Sequence, residues 1–156
     1  MTQTAPNAGS SAPSTEASTW PVLSLAHAHA AMTAAGSPFE IETIQIDGRS
    51  VKWWKNAPPT LRHTFMAARA HGQKTFLVYE DDRVSFDAFM RASLALAAEL
   101  QAAGVEPGDR VALAMRNLPE WPVAFFAGVL TGAVVVALNA WWSGPELLYG
   151  LTDSGS

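Results

Sequence analysis

The chain reads as an α/β protein built from two β-hairpins and a βαβ unit of parallel sheet. Three observations predict this. Two extended runs break at polar turn residues, Asp47-Gly48 and Asp81-Asp82, which suit tight hairpin turns. An uncharged run from Trp121 to Pro145 (WPVAFFAGVLTGAVVVALNAWWSGP) changes character at Gly132, from helix-like sequence to three consecutive valines. A second apolar run, Arg110 to Met115 (RVALAM), lies just before it. A strand, a helix and a strand whose apolar residues do not alternate with polar ones mark a parallel pair with a right-handed crossover.

In chain order, residues 1–19 are alanine, serine, threonine, proline and glycine with one glutamate. Such a stretch has too little apolar bulk to offset the entropy of ordering, so a disordered tail is expected. Pro21 to Ala34 reads as a helix that opens on proline and closes at Gly36. Its His27 and His29 are one residue apart and point to different faces, so they are poorly placed to share a metal. Phe39 to Asp47 alternates apolar with polar residues, and Val51 to Trp54 resumes the pattern after Gly48.

Pro58 and Pro59 introduce a helix over Thr60 to His71, with Leu61, Phe65 and Ala68 on one face and Gly72 as its stop. His63 and His71 have no sequence neighbour to pair with as a catalytic base, and solvent-facing histidine is the plain reading. The second hairpin, Thr75 to Phe86, turns at Asp81-Asp82; two adjacent aspartates could ligate a metal, but a turn explains them. Ser85 can cap the next helix, whose Phe86, Met90, Leu94, Ala97 and Leu100 form a core-facing stripe ending at Gly104. Pro107-Gly108 turns into the strand Arg110 to Met115. A helix over Pro119 to Thr131, a turn at Gly132, a strand over Ala133 to Leu138 and a helix over Glu146 to Thr152 follow.

The uncharged run also has a membrane reading, since tryptophans favour both interfaces. Pro122, Gly128, Gly132 and Asn139 punctuate it, Val134 to Val136 prefer a strand, and no basic cluster flanks it. No membrane span is expected. The Gly128/Gly132 pair would suggest helix association in lipid, but the second glycine better serves a sharp exit from the helix.

Of 156 residues, 49% are hydrophobic and 15% charged, which supports a real core in one domain. Ten basic against fourteen acidic residues give a net charge of −4 without a basic cluster, which argues against a nucleic-acid partner. The absence of cysteine removes disulfides, zinc-thiolate sites and thiol nucleophiles and suits a cytoplasmic protein. Met1 to Thr19 lacks the charged start and apolar segment of a secretory signal. The chain has no GxxxxGK[ST], GxGxxG, HExxH or nucleophile-elbow serine. No catalytic, cofactor-binding or metal-ligating residue is expected within it.

The succession EDDRVSFDAF (80–89), GVEPGDRVALAMRNLPEWPVAFFAGVLTGAVVVALNAWW (104–142) and GPELLYGLTDSGS (144–156) resembles the amino-terminal part of AMP-forming acyl-CoA synthetases, in the adenylate-forming superfamily. The resemblance runs from about Val51 to the last residue. Val84-Ser85-Phe86 matches a strand-to-helix signature, and Leu130 to Asn139 matches a glycine, strand and proline-leucine-aspartate/asparagine element, with Ala137 where the family has proline. Asn139 to Trp142 are more similar to acyl-CoA ligases than to amino-acid adenylation domains.

The resemblance implies a fold that is an incomplete amino-terminal portion of the large adenylate-forming domain, over residues 20–156. It implies a ligase that turns a carboxylic acid, with a fatty acid the favoured class, into an acyl-adenylate and then an acyl-CoA. ATP, Mg2+ and CoA would serve the full-length enzyme. The family's phosphate loop, ribose-gripping aspartate and catalytic lysine all lie downstream of the matched region, so the chain is expected to be a truncation that binds none of them and is inactive alone. Parallel strands without neighbours should self-associate through an exposed sheet edge. Two other readings stand: a small α/β protein-interaction module using that edge, and a membrane-associated protein anchored by residues 121–142.

Overall fold

A computed structural model describes residues 23–156, which fall into two compact units divided along the chain between Ala57 and Pro58. The expected tail and Pro21 lie outside the described residues. The first unit holds α1 (Leu25–Thr33) and the antiparallel hairpin β1 (Ile41–Ile46) and β2 (Arg49–Trp54). The helix opens on Ser24 rather than on proline: the Ser24 hydroxyl accepts the His27 N–H at 3.2 Å, a bond proline's ring cannot supply. The hairpin forms as expected, with positive φ at Asp47 (48°) and Gly48 (75°). A two-residue turn of this hand matches the twist of the strands it joins.

The second unit runs α2 (Leu61–Ala67), β3 (Thr75–Tyr79), β4 (Asp82–Ser85), α3 (Phe86–Ala102), β5 (Arg110–Leu113), α4 (Glu120–Thr131), β6 (Val134–Ala137) and α5 (Gly144–Ser154). The helix expected over Thr60 to His71 is α2 followed by a tighter 3-10 turn at Ala68–His71, closed by Gly72. The β3/β4 turn falls one residue earlier than expected. Tyr79 pairs with Asp82, so Glu80 and Asp81 form the loop and Glu80 takes the positive φ of 49°.

β5 and β6 pair in parallel, Arg110 against Val134 through Leu113 against Ala137, with α4 as the crossover. Pro119 precedes α4 and Gly132, at φ 84°, ends it in the left-handed conformation. The αL cap that a glycine adopts without steric cost thus converts one uncharged run into a helix and a strand. Among the described residues no helix is long and apolar enough to cross a membrane. β6 is less buried than its valines suggest: Val134 is 53% exposed. Val135 lies under α4 near Gly128, and neither outer edge of the pair has a partner strand among the described residues.

The core of this unit is aromatic. Phe65, Phe89 and Met90 are buried, with Phe76, Leu77, Val84, Val123, Phe126 and Leu130 packed around them. Phe89 meets Phe65, Phe76 and Phe126 at ring separations of 5.6, 4.5 and 5.7 Å, within the range of favourable edge and tilted contacts. α3 therefore presents Phe89, Met90, Ser93 and Ala97 inward, while Leu94, expected in the core stripe, is 48% exposed. Ser93 and Thr131 are buried hydroxyls satisfied within their own helices, donating to the carbonyls of Phe89 at 2.9 Å and Gly128 at 2.7 Å.

Candidate functional site

Ligands of open parallel sheets bind beyond the carboxyl ends of the strands, and that edge holds the most distinctive polar chemistry of the second unit. The chain leaving β5 carries Arg116, and the chain leaving β6 carries Trp141. The Arg116 guanidinium lies 5.2 Å from the centre of the Trp141 ring, a cation–π contact that ties the two exits together. Asn139 shapes the second exit: its side-chain oxygen accepts the Trp141 N–H at 3.0 Å, and its carbonyl accepts that of Trp142 at 3.1 Å. Trp141 stays 77% exposed. Trp142 instead packs towards Gly150 of α5.

Beside Arg116 runs a groove of about 380 Å³ whose polar wall is Asp82, Arg83, Arg116 and Glu120 and whose apolar wall includes Tyr79 and Leu118. Arg83 is already committed, donating to the carbonyls of Glu80 and Asp82 at 2.8 and 2.9 Å. Arg116 and Trp141 offer a flat cationic and aromatic platform. That arrangement can stack on a planar group or hold an anion; it contains no nucleophile with an adjacent base.

Perturbed ionisation lies elsewhere. The Lys55 ammonium, 2.7 Å away, holds the Glu40 carboxyl below its ordinary range, helped by the Gly36 N–H, and Glu40 in turn raises Lys55. Glu146 is lowered by the Ser143 hydroxyl and then the Ser143 N–H, both donating at 2.7 Å. These are a hairpin clasp and half of a helix capping box, not reacting groups. His63 Nδ1 sits 2.7 Å from the hydroxyl of Thr60, the α2 cap, and His71 packs against Phe86 with ring centres 4.7 Å apart and planes tilted by 43°. His27 and His29 lie on α1, one residue apart. Among the described residues no cluster of His, Asp or Glu is arranged to hold a metal ion. No local sequence signal pairs Arg116 with Trp141; their contact needs the parallel register of β5 and β6, which brings both exits to one edge.

A sequence model of the family described as AMP-binding enzyme matches residues 64–156, from within α2 to the last residue. The chain belongs to this family. As an AMP-binding enzyme family member it is 38% identical over 84 residues to 2-succinylbenzoate–CoA ligase of Bacillus subtilis, covering 54% of this chain and 17% of that protein. It is 37% identical over 91 residues to a long-chain-fatty-acid–CoA ligase of Salmonella typhimurium, covering 58% and 16%. Among solved structures, O-succinylbenzoate coenzyme A synthetase from Bacillus subtilis in complex with AMP superposes at a TM-score of 0.56 with 35% identity, over 59% of this chain and 24% of that one. The N-terminal subdomain of Klebsiella oxytoca NpsA superposes at 0.60 with 22% identity, over 62% and 25%, a likeness of fold. The chain thus spans about a sixth of the length of these curated relatives. The AMP-binding family's amino-terminal subdomain accounts for the architecture of hairpin, helices and parallel pair.

Proposed function

We propose that these residues form the amino-terminal scaffold of an ATP-dependent ligase that joins a carboxylic acid, with a fatty acid the favoured class, to coenzyme A through an acyl-adenylate. The observation that carries the reading is the 35% identity, with the same fold, to O-succinylbenzoate coenzyme A synthetase. Long-chain-fatty-acid–CoA ligases of several bacteria, 32–42% identical to this chain, support the fatty-acid class, and the 38% identity to a 2-succinylbenzoate–CoA ligase makes an aryl acid the competing class. Residues 20–156 then belong to one incomplete AMP-binding domain behind the tail at 1–19.

Adenylation places developing charge on phosphate oxygens, which Mg2+ and cationic or N–H donors must hold. The described residues do not fit that task. They contain no metal-holding cluster; Arg83 and Arg110 donate to backbone carbonyls, which leaves Arg116, lying over Trp141, as a lone cation at that edge. No step of the reaction is assigned to them.

Acid-dependent exchange of pyrophosphate into ATP tests the proposal. The 156-residue chain alone is expected to show none with fatty acids of graded length or with aryl acids, and exchange above the blank would overturn the scaffold reading. The same assay on the polypeptide of the complete reading frame decides the substrate class. A preference there for aryl over fatty acids would remove the fatty-acid assignment while leaving the ligase.

A further inference from the structure

The hairpin of the first unit has two unlike faces. Residues opposed in an antiparallel register point to the same side. One side carries Thr43 against Lys52 and Gln45 against Ser50, with the Gln45 amide donating to the Ser50 hydroxyl at 2.7 Å. Its apolar end is Ile41 and Trp54, where Phe39 packs edge-on at 6.2 Å. The other side carries Glu42 against Trp53, Ile44 against Val51 and Ile46 against Arg49. Ile46, Val51 and Trp53 are 42, 37 and 44% exposed. α1 buries none of its own residues. A two-stranded hairpin is marginal in water unless something covers its apolar face.

The charges on that face show what fits it. Glu42 stands at the open end and Arg49 at the turn end, with the apolar pairs between them. Neither side chain has a hydrogen-bonded partner among the described residues; Lys55, bonded to Glu40 at the open end, is near enough for its charge to be felt by Glu42. A twofold axis in the plane of the face and across the strands reverses the ends. It lays the Ile44/Val51 pairs of two copies against each other and brings Arg49 of each copy over Trp53 and beside Glu42 of the other. Each copy then supplies what the other lacks: an apolar cover, a cation for an indole face and two opposite-charge pairs. We infer that this face, centred on Ile44, Val51 and Trp53 and flanked by Glu42 and Arg49, is a homodimer interface of this chain. The face offers six side chains, Glu42, Ile44, Ile46, Arg49, Val51 and Trp53, against about 20–30 residues a side in a standard interface, so the dimer is weak and concentration-dependent.

Sedimentation equilibrium of the full 156-residue chain, over a wide concentration range, tests it. E42R and R49E each place like charges together and should weaken self-association on the order of tenfold, the effect of losing two surface pairs. Mixed with one another, E42R and R49E should associate as the parent does, and the double variant E42R/R49E should recover homodimers. Those rescues separate a broken interface from a broken fold. Equal self-association of parent, E42R and R49E would assign it to another surface such as the open β5/β6 edge, and a parent that stays monomeric throughout would show the face covered in another way. Either result overturns the inference.

Discussion

Gly128 and Gly150 are the residues at which one methyl group would decide how helix meets strand. A Cβ on Gly128 would stand 2.7 Å from Val135 Cγ2, and one on Gly150 would stand 2.9 Å from Trp142 and 3.0 Å from Leu138. Alanine for a mid-helix glycine ordinarily gains up to about 1 kcal/mol, but overpacking against a stiff β-branched neighbour costs about 1–3 kcal/mol. Gly128→Ala should therefore lower stability by a net of about 1 kcal/mol in urea unfolding, and Val135→Ala in the same chain should restore part of it. The role of Gly128 was not legible in the sequence: it stood four residues before Gly132, and nothing local said that β6 would cross beneath it. Gly132 was legible, because a positive φ at a helix end is a local need.

Glu146 gives a pH prediction. Its folded pKa lies below the ordinary value of 4.5, first through the Ser143 hydroxyl. Its contribution is complete above that value and is lost as pH falls through the lower folded pKa. Amide protection in the first turn of α5 should decline in that acid window, and Glu146→Gln should flatten the decline. Protection in Glu146→Gln that still follows the parent's pH curve would deny the carboxylate this role.

At the scale of elements, α3 is the organiser, and its face was the part most easily misread. Its sequence places alanine and leucine on several sides, so spacing alone admitted both a Leu94 stripe and a Phe89 one. The choice is made by partners distant in sequence, Phe65 from α2 and Phe126 from α4. Phe89→Ala should cost about 3–5 kcal/mol, whereas Leu94→Ala, half in solvent, should stay within about 1 kcal/mol. Comparable losses would restore the sequence-based stripe. Ser85 was read correctly because a cap is a local device: its hydroxyl accepts the Ala88 N–H at 3.2 Å, and Ser85→Ala should cost about 1 kcal/mol in thermal unfolding. The start of α1 was misplaced because Pro21 is the stronger sequence signal and Ser24 the actual cap.

For the molecule as a whole, the order of elements and the βαβ unit were legible because apolar periodicity and glycine punctuation act within short windows. The platform of Arg116 and Trp141 was not, since it exists only after two strands distant in sequence align. The exposure of Val134, Val78, Leu148 and Tyr149 predicts that the second unit binds an apolar dye in its folded state. A cooperatively melting species with low dye binding would contradict this.

The parallel register of β5 and β6 also sets a timetable. β3 and β4 are joined by two residues and can close within microseconds of being made. β5 cannot, because its partner lies beyond the whole of α4. While a ribosome is still synthesising that helix, β5 waits with both edges open, and the nascent chain depends on α3 and the phenylalanines already made, Phe65, Phe76 and Phe89, to remain compact until Val134 emerges.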